Sequence, residues 1–150
     1  MWEIAALFAA SIEAKNPGTV DLILYADYGL KLKAMPNSVL RTMQLVEGKI
    51  NSVGYGTQSW PSLMEAYDNH DRIMLFTDMQ DHPDRGGYGS RYSRSTRPLP
   101  DVPIYVWDLA GYGISNVDLG PNRYAFAGYT DATMRQIPLL EAGRNADWPF

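Results

Sequence analysis

Cysteine is absent from all 150 residues, which removes disulfides, thiolate nucleophiles and zinc-thiolate centres from consideration. That absence fits a reducing, cytoplasmic setting. Long apolar runs are missing too: no stretch approaches the roughly 18 residues that a membrane helix needs, so no membrane partner is expected. The opening segment, residues 1–14, lacks a basic start and carries Glu3 and Glu13, so it reads as an amphipathic helix rather than a secretory signal. Positive charge is in short supply. A formal net charge of −4 argues against wholesale binding to nucleic acid and against a DNA partner, while leaving a local basic patch open. What remains, 45% hydrophobic and 20% charged residues, is the composition of a globular protein of one domain, residues 1–150, with a single core.

The stretch 71–78, Asp-Arg-Ile-Met-Leu-Phe-Thr-Asp, organises the rest. Its unbroken apolar run suits a strand covered on both faces, and it closes on a hydroxyl and a carboxylate. In open α/β sheets ligands gather beyond the carboxyl ends of the strands, which is where Asp78 stands. Residues 102–108 repeat the design and residues 20–26 are nearly as apolar, so the three are expected as inner strands of one sheet.

In chain order, the spacing of Ile4, Ala5, Leu7, Phe8 and Ile12 predicts a helix over 2–15, stopped by Asn16-Pro17-Gly18. After the 20–26 strand, a tight connection at Asp27-Tyr28-Gly29 leads into residues 30–35. There Leu30, Leu32 and Ala34 alternate with Lys31 and Lys33, as in an antiparallel edge strand guarded against aggregation. Ser38 offers an N-cap for a second helix, although Gly48 weakens it by roughly 1 kcal/mol. The loop Gly54-Tyr55-Gly56-Thr57 precedes a short helix around Leu63, Met64 and Tyr67. Residues 79–100, rich in glycine, arginine and proline, read as a long exposed loop. A strand over 123–127 and a helix over 130–142, capped by Thr130 or Asp131, complete the order, and Trp148 and Phe150 in the tail are expected to dock on the body. Strands alternating with helices imply an α/β fold, mostly parallel with one antiparallel edge hairpin.

The helix 2–10, the Gly54-Tyr55-Gly56-Thr57 loop, the segment 72–83 and the segment 102–113 together resemble a von Willebrand factor A domain. More narrowly, they are similar to the A domain of Ro (TROVE) ribonucleoproteins, which bind small non-coding RNAs. The resemblance implies a Rossmann-like vWA sheet and a metal-ion-dependent adhesion site in which Thr57 and Asp78 would be ligands of Mg²⁺. The family's Asp-x-Ser-x-Ser loop is absent, together with the central first strand that carries it. In the family's order that strand would sit between the 20–26 and 72–76 strands. Its removal leaves a gap of roughly 9.6 Å with unpaired backbone groups, each costing about 1–3 kcal/mol if buried. Either the two halves pair directly, or another chain donates a strand, or the sequence is part of a longer product. With one hydroxyl and one carboxylate, Mg²⁺ binding is expected to be weak or vestigial.

Two further constellations stand beside that reading. Arg85, Arg91, Arg94 and Arg97, interleaved with Tyr88 and Tyr92, have the composition of a single-strand RNA contact; a solvated loop with Asp81, Asp84 and Asp101 nearby explains them as well. Asp78, Asp81, His82 and Asp84 could serve a metal-dependent hydrolase, but their spacing matches no catalytic motif and a crowded polar loop accounts for them. The expectation is a non-enzymatic binding module with a protein partner, self-association or a small RNA. The alternative is a metal-independent homo-oligomeric assembly protein.

Overall fold

A computed structural model describes residues 1–35, 38–78, 100–111, 121–128 and 130–143. They are mixed α/β: helices α1 (Trp2–Lys15), α2 (Val39–Lys49), α3 (Ser59–Ala66) and α4 (Asp131–Ala142), and strands β1 (Leu22–Tyr25), β2 (Gly29–Leu32), β3 (Ile73–Thr77), β4 (Ile104–Asp108) and β5 (Arg123–Ala127). Order and type of these elements follow the sequence pattern. A short 3-10 turn, Ile50–Ser52, extends α2 where the pattern gave no warning. The strands form two sheets, an antiparallel β1-β2 pair and a parallel β3-β4-β5 sheet, and no ladder joins them among the described residues. Residues 20–26 are therefore not an inner strand of the parallel sheet, as their apolar run suggested. β1 is apolar because it packs against helices, and an apolar run alone does not specify which strand is its neighbour.

The described residues fall into two compact units, those up to 70 with Pro100, and 71–78 with those from 101 onward. In the first, β1 and β2 pair from Leu22↔Leu32 to Tyr25↔Gly29. Period two puts Leu22, Leu24, Leu30 and Leu32 on one face, where Ala6 of α1 and Val46 of α2 close over them with Trp2, Ala9 and Met43. Ala6, Ala10 and Glu13 form the buried stripe of α1. The small alanines there allow close approach of the neighbouring helix. Ser38 caps α2 as its sequence position suggests, its Oγ accepting from the Arg41 N–H at 3.3 Å. Thr42, one turn further on and 1% exposed, accepts from the Met35 N–H and so anchors the chain between β2 and α2.

In the second unit β4 lies between β3 and β5, and all five of its residues are buried. Parallel register aligns Phe76↔Trp107↔Phe126 and Tyr105↔Tyr124. This sets a row of rings across the sheet, with Trp107 stacked 5.0 Å from Phe76 and 4.9 Å from Phe126, and Tyr105 5.2 Å from Tyr124. Two buried polar tips need partners, and α4 supplies both. The Trp107 indole donates to Thr133 Oγ1 at 2.9 Å, and the Tyr105 hydroxyl donates to Glu141 Oε1 at 3.0 Å. Ile137, 4% exposed, fills the space between these two anchors on α4. Pro138 sits inside α4 and cannot donate to the carbonyl four residues back; its side of the helix is exposed, so water can take over that acceptor. Thr130 is the N-cap by position, but its side chain makes no cap bond; its carbonyl accepts from Thr133 instead.

Burial first, and then the bond to Glu141, push the Tyr105 phenol far above its ordinary value of 10.0. The neutral phenol is thus the form the fold holds. Its contribution is complete below the unfolded value and is lost as pH rises above about 10, where the unfolded chain releases the proton and the folded chain does not. Tyr105→Phe should cost about 1–2 kcal/mol at neutral pH, from the lost bond to a carboxylate. It should also flatten the alkaline decline in stability seen by urea titration, and an unchanged alkaline slope would contradict the assignment.

Candidate functional site

Thr57 and Asp78 belong to different units, and each is described within its own. Thr57 is half-buried at the end of a loop that comes back onto the β1-β2 turn. The Asp27 N–H donates to the Val53 carbonyl at 2.9 Å, and the Gln58 N–H, at the start of α3, donates to the Ala26 carbonyl at 2.8 Å. The Tyr28 hydroxyl donates to the Ser52 carbonyl. Between these ties sits the Asp27 carboxylate, whose Oδ2 accepts from the Tyr55 N–H at 3.1 Å.

The two glycines of the loop explain themselves at this carboxylate. A Cβ on Gly54 would lie 2.0 Å from Asp27 Oδ2 and 2.9 Å from Asp27 Cβ, and one on Gly56 would lie 2.0 Å from Oδ1. With the carboxylate in this position only hydrogen fits on either side. Gly54 also needs its freedom, since its φ is +91°, whereas no such conformation is found at Gly56. The result is a loop whose backbone is closed onto a side chain while Tyr55, between the glycines, stands 90% exposed and Tyr28 51% exposed.

A second polar cluster lies at the start of β1. Asp21 is bonded to the Lys31 ammonium and, at 3.2 Å, to His70 Nε2. His70 Nδ1 accepts from the Asp68 N–H at 3.1 Å, so the neutral ring carries its proton on Nε2 and donates it to Asp21. Lys31 first, and His70 with it, hold the Asp21 carboxyl below its ordinary value of 3.8.

In the second unit Asp78 follows β3 directly and is half-buried. The register Thr77↔Asp108 brings Thr77 and Asp108 together at the carboxyl end of the sheet, 7% and 3% exposed. Asp108 Oδ1 accepts from the N–H groups of Ala110 (3.0 Å) and Gly111 (2.8 Å), so this buried carboxylate closes the turn after β4. Arg85, Arg91, Arg94 and Arg97 lie outside the described residues, as do Asp81, His82 and Asp84. Among the described residues no three carboxylate or imidazole side chains come together as a group able to hold a metal ion. Mg²⁺ is usually held by one or two carboxylates with waters completing a near-octahedral array, and the two donors expected for it, Thr57 and Asp78, stand in different units. Among the same residues no helix is long and apolar enough to cross a membrane.

Sequence reasoning singled out Thr57 and passed over Asp27, the residue that shapes the Thr57 loop. The signal was present in the spacing: glycine on both sides of one residue marks a backbone that something approaches closely. What approaches cannot be read from the loop itself. No family model, no curated protein and no solved structure matches the chain.

The two glycines should respond differently to alanine. Gly56→Ala forces the carboxylate to swing away from the Tyr55 N–H, at about 1–2 kcal/mol, and the cost should vanish in an Asp27→Ala background. Gly54→Ala should retain about 1 kcal/mol even without Asp27, because its positive φ remains unfavourable. Equal costs for Gly56→Ala in both backgrounds, by urea titration, would refute the clasp.

The Asp21 cluster has its own pH signature. Because the folded value is lowered, the stabilisation is present above about pH 4 and fades as pH falls through the folded value. The melting-point advantage over Asp21→Asn should therefore shrink on acidification; an advantage that grows toward low pH would show the sign to be wrong.

Proposed function

We propose that the chain is a non-enzymatic binding module, a Rossmann-like A domain similar to those of Ro (TROVE) proteins, that holds a protein or small-RNA partner at the loop carrying Tyr55 and Thr57. The observation that supports this reading is the Asp27 clasp, which leaves Tyr55 90% exposed on a backbone whose N–H is bonded to the Asp27 carboxylate. A large amphipathic ring presented on a pre-ordered loop suits recognition, because little conformational entropy is lost when it is covered. A ring of this kind packs against a protein surface or stacks on an unpaired base. Catalysis would need an activated nucleophile or a poised acid and base, and the Thr57 loop offers a threonine hydroxyl and a tyrosine at its tip. The Asp27 carboxylate beside them is engaged by the Tyr55 N–H.

Two assays on the full chain test the reading together: light scattering on a sizing column for self-association, and fluorescence anisotropy with a labelled small non-coding RNA. One complex is expected at micromolar protein. Tyr55→Ser should weaken it about tenfold or more while leaving the melting temperature unchanged, as for an exposed hot-spot tyrosine. A complex indifferent to Tyr55→Ser would contradict the reading, as would a chain that forms neither complex. Turnover of p-nitrophenyl phosphate in Mg²⁺ would replace it with a hydrolase.

A further inference from the structure

All four lysines of the chain lie in its first 49 residues, and three of them line one open groove of about 540 Å³ on the first unit. One wall is six consecutive residues, 30–35, and the other is Leu45 and Lys49 of α2, which are one helical turn apart. A wall of consecutive residues means that the groove follows the edge of β2, Gly29–Leu32, and the three residues that continue it, rather than either face of the sheet. That edge is available for pairing. The Ala26 N–H donates to the Tyr28 carbonyl, so in the antiparallel alternation the bonded pairs are Leu24 with Leu30 and Leu22 with Leu32. The main-chain N–H and C=O of Lys31 therefore point away from β1, into the groove.

Side chains along this edge alternate in the same way. Leu30, Leu32 and Ala34 lie on the side of the helices, and Lys31 and Lys33 lie exposed on the other. Lys31 is held by Asp21, but Lys33 and Lys49 enter no ion pair among the described residues. In a protein of net charge −4 this is a local excess of positive charge over an apolar floor.

We propose that the groove receives an extended segment of a partner protein in which apolar and acidic residues alternate, added to β2 as a third strand. The alternation of β2 dictates that of its guest. One side of the guest rests on Leu30, Leu32 and Leu45 while its carboxylates meet Lys33 on the opposite face, and Lys49 draws the acidic segment to the groove from the helix side. Lysines on an edge strand repel a second copy of the same edge, so the device that prevents self-pairing also selects an acidic partner. This surface is independent of the Tyr55 loop.

The test uses a fluorescein-labelled peptide, Glu-Val-Glu-Leu-Glu-Val-Glu, titrated with the full chain. Saturable binding in the micromolar range is expected, weakening with salt. Lys33→Glu with Lys49→Glu, both at the surface and so compatible with folding, should weaken it about tenfold, and the same peptide with lysine in place of glutamate should bind that double variant. Methylating alternate peptide amides should abolish binding, since strand addition needs those N–H groups. No binding at millimolar protein, insensitivity to the lysine reversals, or full binding by the methylated peptide would each overturn the proposal. So would dodecanoate occupying the groove, with Lys33 resonances shifting, where the peptide does not.

Discussion

The Asp27 carboxylate is the constraint on which the first unit's loops depend. It lies at the turn between β1 and β2, where a short connection already limits the backbone, and it reaches across to a loop 28 residues away. It occupies the space between Gly54 and Gly56, and the bonds from Asp27 to Val53 and from Gln58 to Ala26 tie the two ends of the loop to the same turn. The second of these fixes the residue from which α3 begins. A carboxylate this exposed adds little to global stability by its charge alone. Its effect is geometric: it converts a glycine-rich loop, entropically costly to order, into a defined platform for Tyr55 and Thr57.

The second unit depends on another kind of constraint. β4 is covered on both faces and carries two aromatic residues with polar tips, neither of which can be left unpaired in the interior. The indole and the phenol each select a partner on α4, so the helix is held in position along the sheet by two bonds as well as by apolar contact. Arg72, at 3.1 Å from Glu141, then satisfies the carboxylate that receives the phenol. The sequence Tyr105, Glu141, Arg72 is a polar chain running from core to surface, and each member is explained by the one before it.

Much of the local structure is legible in the sequence. Ile4, Leu7 and Phe8 at helical spacing, the stop at Pro17-Gly18, the Ser38 cap and the Leu-Lys alternation of β2 all gave the correct element, because each rests on short-range physics. Neighbour relations were less legible. The apolar run of β1 looked like that of β3 and β4, yet β1 is in a sheet with β2 alone. Burial selects apolar residues whether a helix or a strand provides the cover. The site was legible by half: the glycines announced a crowded backbone near Thr57, but the group that crowds it is a turn aspartate whose composition is equally that of any tight turn. Asp108 shows the reverse. It stands at the carboxyl end of β4, the kind of position that drew a functional reading at Asp78, and its oxygen is engaged by two N–H groups of its own turn.

The most direct measurement is hydrogen exchange at the Tyr55 amide, followed by NMR in the intact chain and in Asp27→Ala. That N–H belongs to an exposed residue at the tip of a loop and has the Asp27 carboxylate as its partner. A clasp that orders the loop predicts measurable protection of this one amide, lost in Asp27→Ala while the amides of β1 and β2 keep theirs. Exchange at the rate of a free peptide in the unmutated protein would mean that the carboxylate does not hold the loop, and the pre-ordered platform would be contradicted with it.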